Sequence, residues 1–329
     1  MPDACADTVG VEEEFLLVEP ASRRTVMRAN AVLGRLHDTE LTKFHAELAG
    51  TQVEAASGPC TSVAALGEAL GQARTMVADA ARAEGVDLIS RGTPFKASTH
   101  PVVTDGARYH RIVDTYAGVI DDYEASGCHV HVGVPDRETA VAVLNHVRPW
   151  LPTLLALSAN SPDRGYASWR TVLQSRFPGA GVPPLFADAE DYDAHVGRMV
   201  ACGTLVDRAQ SFWLVRLATT LPTVEFRVAD AAAEVDDAVL QAALSRALVH
   251  TAYEDMLAGK EPSVVRDDVL AAAVWTASRY GIDGAGIDPW RECRVPATAL
   301  LDDLLKHVTS ALDERGELAL VLGLVAARV

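Results

Sequence analysis

The sequence predicts an α+β fold in which antiparallel strand pairs alternate with single helices. Two observations support this class. Apolar residues between 62 and 84 recur at helical spacing, and Gly85 ends the run. The short segments 43–48 and 51–56 instead have the character of two strands that turn at Gly50, which is typical of a hairpin. A hairpin followed by one helix does not fit a strict array of parallel βαβ units.

The other predicted elements continue this alternation, and no repeat or linker divides the 329 residues. We therefore expect one catalytic domain over residues 1–329. Prolines, glycines and aromatic residues without periodicity at 160–188 predict a long loop over a site. Further strands are predicted at 8–18, 86–90, around 129–131, at 211–217 and at 222–229, and further helices at 26–36, 109–124, 135–157, 189–203, 236–258, 265–280 and 297–312.

The charge balance and the cysteines argue against several classes of partner and site. Net charge is −16, from 45 acidic and 29 basic residues without a basic cluster, so neither nucleic acid nor a membrane is an expected partner. The five cysteines show neither zinc-ligand spacing nor a disulfide framework. The N-terminus also lacks the features of a signal peptide, so we expect a cytoplasmic protein. The sequence leaves the oligomeric state open, including a homo-oligomer.

Glutamates occur at strand spacing in two segments near the N-terminus. Glu12 and Glu14 share one face of an apolar strand, because alternate side chains of a strand point the same way. Glu47 and Glu54 lie on either side of the predicted turn, so a hairpin can bring them to that face. Carboxylates in an apolar strand need compensation, which a divalent cation would supply. A solvated edge strand is the alternative.

Two later strands carry imidazole or charged side chains at the same spacing. His129 and His131 point to one side and can share a metal or a phosphate, with two core histidines as the alternative. Glu225 and Arg227 form either an intrastrand ion pair or a metal ligand beside a phosphate-binding guanidinium. Arg216 can add a second phosphate contact. Because oxygen ligands predominate, the cage suits Mg²⁺ or Mn²⁺ holding a polyphosphate.

The order of these motifs resembles the type 2 glutamate–cysteine ligase family, carboxylate–amine ligases of the glutamine synthetase-like superfamily. The resemblance runs from Thr8 to about Gly284, and residues 285–329, predicted to be helical, are less similar. It rests on the ordered succession of Gly-Val-Glu-Glu-Glu-Phe (10–15), Gln-Val-Glu (52–54), Gly-Cys-His-Val-His-Val-Gly (127–133), Leu-Ser-Ala-Asn-Ser-Pro (157–162) and Pro-Thr-Val-Glu-Phe-Arg-Val-Ala-Asp (222–230).

This resemblance implies a glutamine synthetase-like curved antiparallel β-sheet with helices packed on its outer face. Its concave face would bind ATP and Mg²⁺, with Mn²⁺ as an alternative ion. The implied ligands of a metal near the β- and γ-phosphates are Glu12, His129 and Glu225, and those of a substrate-side metal are Glu14, Glu47 and Glu54. The implied phosphate contacts are His131, Arg216 and Arg227, and the expected substrate contacts are Arg108, Tyr109, Tyr166 and Arg170.

The implied reaction is the ATP-dependent joining of a small-molecule carboxylate to an amine. Phosphorylation of the carboxylate gives an acyl phosphate, because phosphate is a far better leaving group than oxide. The amine then displaces phosphate and an amide forms. Metal ions and arginines would neutralise charge on the transferring phosphoryl group. γ-Glutamylcysteine, from glutamate and cysteine, is the default product.

The sequence departs from the family pattern where the substrate wall is expected. Gly-Thr-Pro-Phe at 92–95 lacks the histidine that the family usually carries, and residues of the usual substrate loop are missing between Pro162 and Gly165. A different acid or amine is therefore an alternative. Phosphoryl transfer to a guanidino or other small acceptor, and a ligase-like binding protein without turnover, are the other functions considered.

Overall fold

The computed structural model describes residues 5–98 and 103–329. Its α+β architecture confirms the predicted class. The strands are β1 (Val9–Val18), β2 (Thr42–Ala46), β3 (Gln52–Ser57), β4 (Asp87–Ile89), β5 (Gly127–Gly133), β6 (Val215–Leu217), β7 (Thr223–Asp230), β8 (Ala285–Asp288) and β9 (Cys293–Pro296). Seven of them form an antiparallel sheet in the order β2-β3-β1-β5-β7-β6, with β4 also paired to β1. β8 and β9 form a separate hairpin.

The helices surround this sheet, and α8 packs against β1 and β5 in the largest apolar core. They are α1 (Ala29–Leu33), α2 (Val63–Ala83), α3 (Ala107–Tyr116), α4 (Arg137–Val147), α5 (Leu151–Ser158), α6 (Trp169–Gln174), α7 (Ala189–Ala201), α8 (Val235–Leu257), α9 (Asp267–Tyr280), α10 (Ala297–Glu314) and α11 (Leu318–Arg328). Among the described residues, no helix has the length and apolar character needed to cross a membrane.

Proline chemistry accounts for one difference from the predicted elements. The helix predicted at 135–157 is divided into α4 and α5 by a 3₁₀ turn at Arg148–Trp150. Pro149 and Pro152 have no amide hydrogen to donate to a preceding turn, so continuous α-helix is unfavourable there.

Other predicted elements are shorter in the structure. The helices predicted at 26–36 and 109–124 contract to α1 and α3, and the strand at 211–217 to β6. The loop predicted at 160–188 contains the short helix α6. The prediction that residues 285–329 are helical is wrong for the β8–β9 hairpin and holds for α10 and α11.

The main sheet has one face covered by helices and one face that carries the charged side chains. Along β1, Val11 points into the core beneath α8, whereas Glu12 and Glu14 point to the opposite face. Glu13 lies on the helix side, where Arg74 of α2 donates two hydrogen bonds of 3.0 and 2.7 Å to its carboxylate. This buried pair explains how three consecutive glutamates fit into one apolar strand.

Candidate active site

Two clusters of potential metal ligands lie side by side on the face opposite α8. The first cluster is Glu12, His129 and Glu225, whose ligand atoms lie within 4.8 Å of one another. The second cluster is Glu14, Glu47 and Glu54, with atoms equally close. Antiparallel register produces both groupings, because Glu12 lies opposite His129 and Glu14 lies opposite Glu54. The strand spacing of the sequence therefore becomes two adjoining cages.

The first cluster contains ionised carboxylates and a neutral imidazole. Nδ1 of His129 lies 3.4 Å from Glu12 and 3.3 Å from Nη1 of Arg227. Burial and the charge of Arg227 lower the pKa of His129 to about 3. Although burial opposes it, the close contacts with His129 and His131 hold the pKa of Glu12 below its usual range. Neutral imidazole and carboxylate are the forms that bind a divalent ion.

The second cluster consists of carboxylates without cationic partners. Burial and repulsion from Glu47 raise the pKa of Glu14 to about 8, and they raise that of Glu54 well above its ordinary value. Within residues 5–98 and 103–329, no lysine or arginine forms an ion pair with any of the three carboxylates. Three largely buried carboxylates without a direct lysine or arginine partner fit a hard divalent cation such as Mg²⁺ or Mn²⁺.

Arginines hold Glu225 from two sides. Arg216 donates to its carboxylate through Nε and Nη2 at 2.7 and 2.9 Å, and Arg227 donates through Nη1 at 2.5 Å. Arg216 also donates to the carbonyls of Ala209 and Ser211. Its donors are thus largely engaged within the protein, and it ties residues 209–211 to the first cluster. The intrastrand ion pair considered from the sequence is present as well.

His131 stands at the edge of the first cluster. Its Nδ1 lies 2.9 Å from the hydroxyl of Thr223, and its Nε2 lies 3.3 Å from Glu12. That Nε2 is buried without a hydrogen bond. Burial acts to lower the pKa of His131, but the nearby carboxylates of Glu12 and Glu225 raise it above its ordinary value. His131 can therefore carry a proton beside the carboxylate of Glu12.

A cavity of about 320 Å³ covers both clusters. Its outer wall includes Arg108 and Tyr109 of α3, which the sequence analysis singles out. Arg108 donates to Asp207 at 2.8 Å and to Gln210 at 2.9 Å, so it links α3 to the 207–212 segment across the cavity. The hydroxyl of Tyr109 donates to the carbonyl of Ala46, next to Glu47.

The two other predicted substrate contacts lie elsewhere. Arg170 is buried beneath the first cluster, where it donates to the carbonyl of Arg227 and lies 3.4 Å from Nε2 of His129. Arg170 thus contacts Arg227 and His129 but does not line the cavity. Tyr166 lines a separate cavity beside the carboxylate-lined one. The structure brings together the other predicted site residues and leaves Tyr166 apart from them.

Several site residues are absent from the sequence-based prediction. Gln52 lines the cavity and donates to the carbonyl of Ala125. Its position two residues before Glu54 on the same strand face is the signal that could have found it. Tyr123, Gln174 and Phe212 also line the cavity, but they come from segments without a local pattern.

Gly127 is a further residue that only the packing identifies. Its amide donates to Glu14 at 2.6 Å. A Cβ atom at this position would lie 2.4 Å from Nη2 of Arg170 and 2.9 Å from Nε2 of His129. Glycine is required because two site side chains pass directly over its Cα.

Solved structures with the same fold include two ligases. A glutamate–cysteine ligase from Francisella tularensis, solved in complex with AMP, superposes with a TM-score of 0.68 at 13% identity, covering 98% of this chain and 82% of that one. A bifunctional glutathione synthetase from Pasteurella multocida gives a TM-score of 0.65 at 14% identity, covering 98% of this chain and 47% of that one. At these identities the likeness concerns the fold alone.

Comparison of sequences identifies relatives at much higher identity. A relative from Saccharopolyspora erythraea, provisionally named glutamate–cysteine ligase 2-2, is 50% identical over 95% of this chain and 83% of its own length. A relative from Salinispora tropica, provisionally named glutamate–cysteine ligase 2, is 40% identical over 99% of this chain and 87% of its own. The sequence model of glutamate–cysteine ligase family 2 matches residues 8–329, including the C-terminal part that carries none of the motifs. This chain therefore belongs to glutamate–cysteine ligase family 2.

Proposed function

We propose that this protein joins a small-molecule carboxylate to an amine at the expense of ATP, with glutamate and cysteine as the default pair and the cytoplasm as its location. The observation that carries the proposal is that the first and second clusters adjoin and differ in their charged groups. One holds ionised carboxylates, a neutral imidazole and two arginines, and the other holds three carboxylates without cations. Family membership supports the same reaction.

Each cluster would serve one substrate of the phosphoryl transfer, the first cluster the nucleotide and the second cluster the acid. Glu12, His129 and Glu225 would hold a divalent ion on the nucleotide side, with Arg227 beside them. Glu14, Glu47 and Glu54 would hold a divalent ion on the acid side. Bound ions would supply positive charge that offsets the charge of the transferring phosphoryl group. With both ions bound, the adjoining positions of the two clusters would bring donor and acceptor oxygens to one place.

The walls of the cavity would protect the acyl phosphate from water. An acyl phosphate is lost if water reaches it before the amine does. Arg108 pairs with Asp207 at one side of the cavity, and Arg216 holds the adjacent backbone through the carbonyl of Ala209. With the substrates bound, these contacts would help to limit access of water to the acyl phosphate.

The test is ATP-dependent phosphate release with Mg²⁺, glutamate and a panel of amines, with mass spectrometry of the products. We expect an amide that requires both organic substrates. ADP formed without an amide would instead indicate phosphoryl transfer to another acceptor. Absence of ATP consumption with every acid and amine tried would contradict the proposal. Glu68→Gln, a change at an exposed glutamate of α2 on the helix-covered side of the sheet, serves as a control for Glu54→Gln.

A further inference from the structure

A second cavity adjoins the candidate active site and is almost twice its size. Its volume is about 580 Å³, and it lies between α6, the loop that follows it and α9. Most of its wall is apolar, as shown by Phe177, Leu270 and Trp275. Gln174 and Phe212 line both this apolar cavity and the carboxylate-lined one. The two spaces therefore share a wall.

Strand register shows which end of the site the apolar cavity approaches. Because β6 is antiparallel to β7, the chain that precedes β6, including Phe212, leads towards the Asp230 end of β7. Asp230 lies opposite Gly127, whose amide donates to Glu14. His131 lies towards the other end of β5. The apolar cavity thus adjoins the end of the sheet that carries the second cluster.

The lining of the apolar cavity selects against anionic groups. Among its described residues there is no lysine, arginine or histidine that could bind a phosphate or a second carboxylate. Its one acidic residue, Asp267, is paired with Arg148 at 2.5 Å. Phe212 stacks on Phe177 with ring centroids 4.3 Å apart, so the shared wall is itself aromatic. The surface suits the body of an apolar molecule.

We propose that the apolar cavity binds the side chain of the amine substrate, and that this side chain is apolar and at least as large as a phenyl ring. This inference rests on the proposed ligase function and replaces cysteine, the default amine, with a larger apolar one. The amine nitrogen would lie near the second cluster, where the acid substrate is held, while the apolar body of the amine extends past Gln174 and Phe212. Tyr166, which the sequence analysis expects to contact substrate, lines this cavity. It would therefore contact the side chain of the amine.

Gln174 lines both cavities, so a substrate that spans them requires the Gln174 side chain to turn aside. The only hydrogen bond that the described residues offer the Gln174 side-chain amide is a long one, 3.5 Å to the hydroxyl of Tyr123. At this length the hydrogen bond contributes little to holding the buried side chain in place. If a small amine such as cysteine were bound, the apolar cavity would contain only water.

The test compares binding of 2-phenylethylamine and ethylamine to the full chain with Mg²⁺, measured by isothermal titration calorimetry. Both amines carry the same ammonium group and differ in the ring. We expect 2-phenylethylamine to bind at least tenfold more tightly. Ala271→Trp should weaken its binding at least tenfold, because Ala271 lines the cavity on the exposed side of α9. Ala272→Trp is the matched control, since Ala272 is exposed on the same helix outside the cavity lining.

Equal binding of the two amines, or equal behaviour of the two tryptophan variants, would overturn the proposal. A rise in the KM for ATP in Ala271→Trp, with amine binding unchanged, would also overturn it by assigning the cavity to the nucleotide. Failure of the ligase function is a separate outcome. In that case the ring preference would persist in the binding experiment while no pair of acid and amine gives an amide.

Discussion

The guanidinium of Arg170 lies 3.4 Å from Nε2 of His129, on the side of the ring away from Glu12. Arg170 is 1% exposed and is held by the carbonyl of Arg227 and by close packing against Gly127. Both ring nitrogens of His129 therefore face charged side chains, and the ring cannot rotate without displacing Arg170. Arg170 is a positioning residue for a candidate metal ligand.

Replacement of Arg170 should weaken metal binding before it affects the substrates. We expect Arg170→Lys to raise the Kd for Mn²⁺ about tenfold, since residues that orient metal ligands typically contribute this much. Arg170→Met should have a larger effect. Electron paramagnetic resonance titration of Mn²⁺, without substrates, gives the value directly. Arg176→Lys, which alters an ion pair with Asp122 at the surface, should leave the Kd unchanged. An unaltered Kd in Arg170→Lys would show that its role is structural.

Gly127→Ala should damage the site through a clash with two side chains. The added methyl group would lie 2.4 Å from Nη2 of Arg170, so either the strand or the guanidinium must move. We expect a lower melting temperature and a weaker affinity for Mn²⁺. Gly71→Ala is the contrasting variant, because a Cβ there meets nothing within 4 Å. In the interior of α2 it should stabilise the fold by up to about 1 kcal/mol. Wild-type stability and Mn²⁺ affinity in Gly127→Ala would refute this account.

Glu54→Gln should affect function and stability in opposite directions. Loss of a charged ligand from the second cluster should reduce ATP turnover at least 1,000-fold, on the order expected for groups that hold transition-state charge. In the metal-free protein the same change removes repulsion with Glu47 and Glu14, so the free energy of unfolding at pH 8 should rise by about 1 kcal/mol. Turnover assays and denaturant titration measure the two effects. Normal turnover would refute the metal-cage assignment, and we make the same prediction for turnover of Glu14→Gln.

The metal-free protein should lose stability as pH rises from about 5 to 8. The pKa of Glu14 is raised to about 8 in the folded chain, from an ordinary value of 4.5. Between these values the folded state binds a proton that the unfolded state has released, so the contribution of Glu14 is fully present below pH 4.5 and is lost as pH rises through 8.

Added Mg²⁺ should reverse that loss, because the ion replaces the proton on the carboxylate. We expect the gain in melting temperature on adding Mg²⁺ to grow between pH 6 and pH 8, by scanning calorimetry with and without EDTA. Glu54→Gln should show a smaller gain at pH 8. A gain that is independent of pH would indicate that the cation binds outside the second cluster.

Much of the site could be predicted because it lies on strands. Glu12, Glu14, His129 and Glu225 follow a spacing of two, and antiparallel pairing converts that spacing into neighbours on one face. Glu47 is less obvious, since it follows β2 rather than lying within it. It joins the second cluster because the β2–β3 hairpin turns beside it.

Residues that support the site through packing show no such spacing in the sequence. Arg170 lies in a short helix within a segment that looks like a loop, and nothing local indicates that its guanidinium reaches under β5. Arg216 resembles a phosphate ligand in the sequence, yet its donors serve Glu225 and two backbone carbonyls. These contacts join parts of the chain that are distant in sequence.

The sequence by itself determined the class of fold and the family, and it indicated two sets of candidate ligands, because side-chain period and motif order are properties of the chain alone. Tertiary structure alone decided that these two sets adjoin on one face of the sheet, that Arg170 supports His129 and that Tyr166 faces a separate apolar cavity. The physical reason is that charge repulsion, burial and cavity shape depend on distances between segments, which strand register and helix packing establish only when the chain has folded.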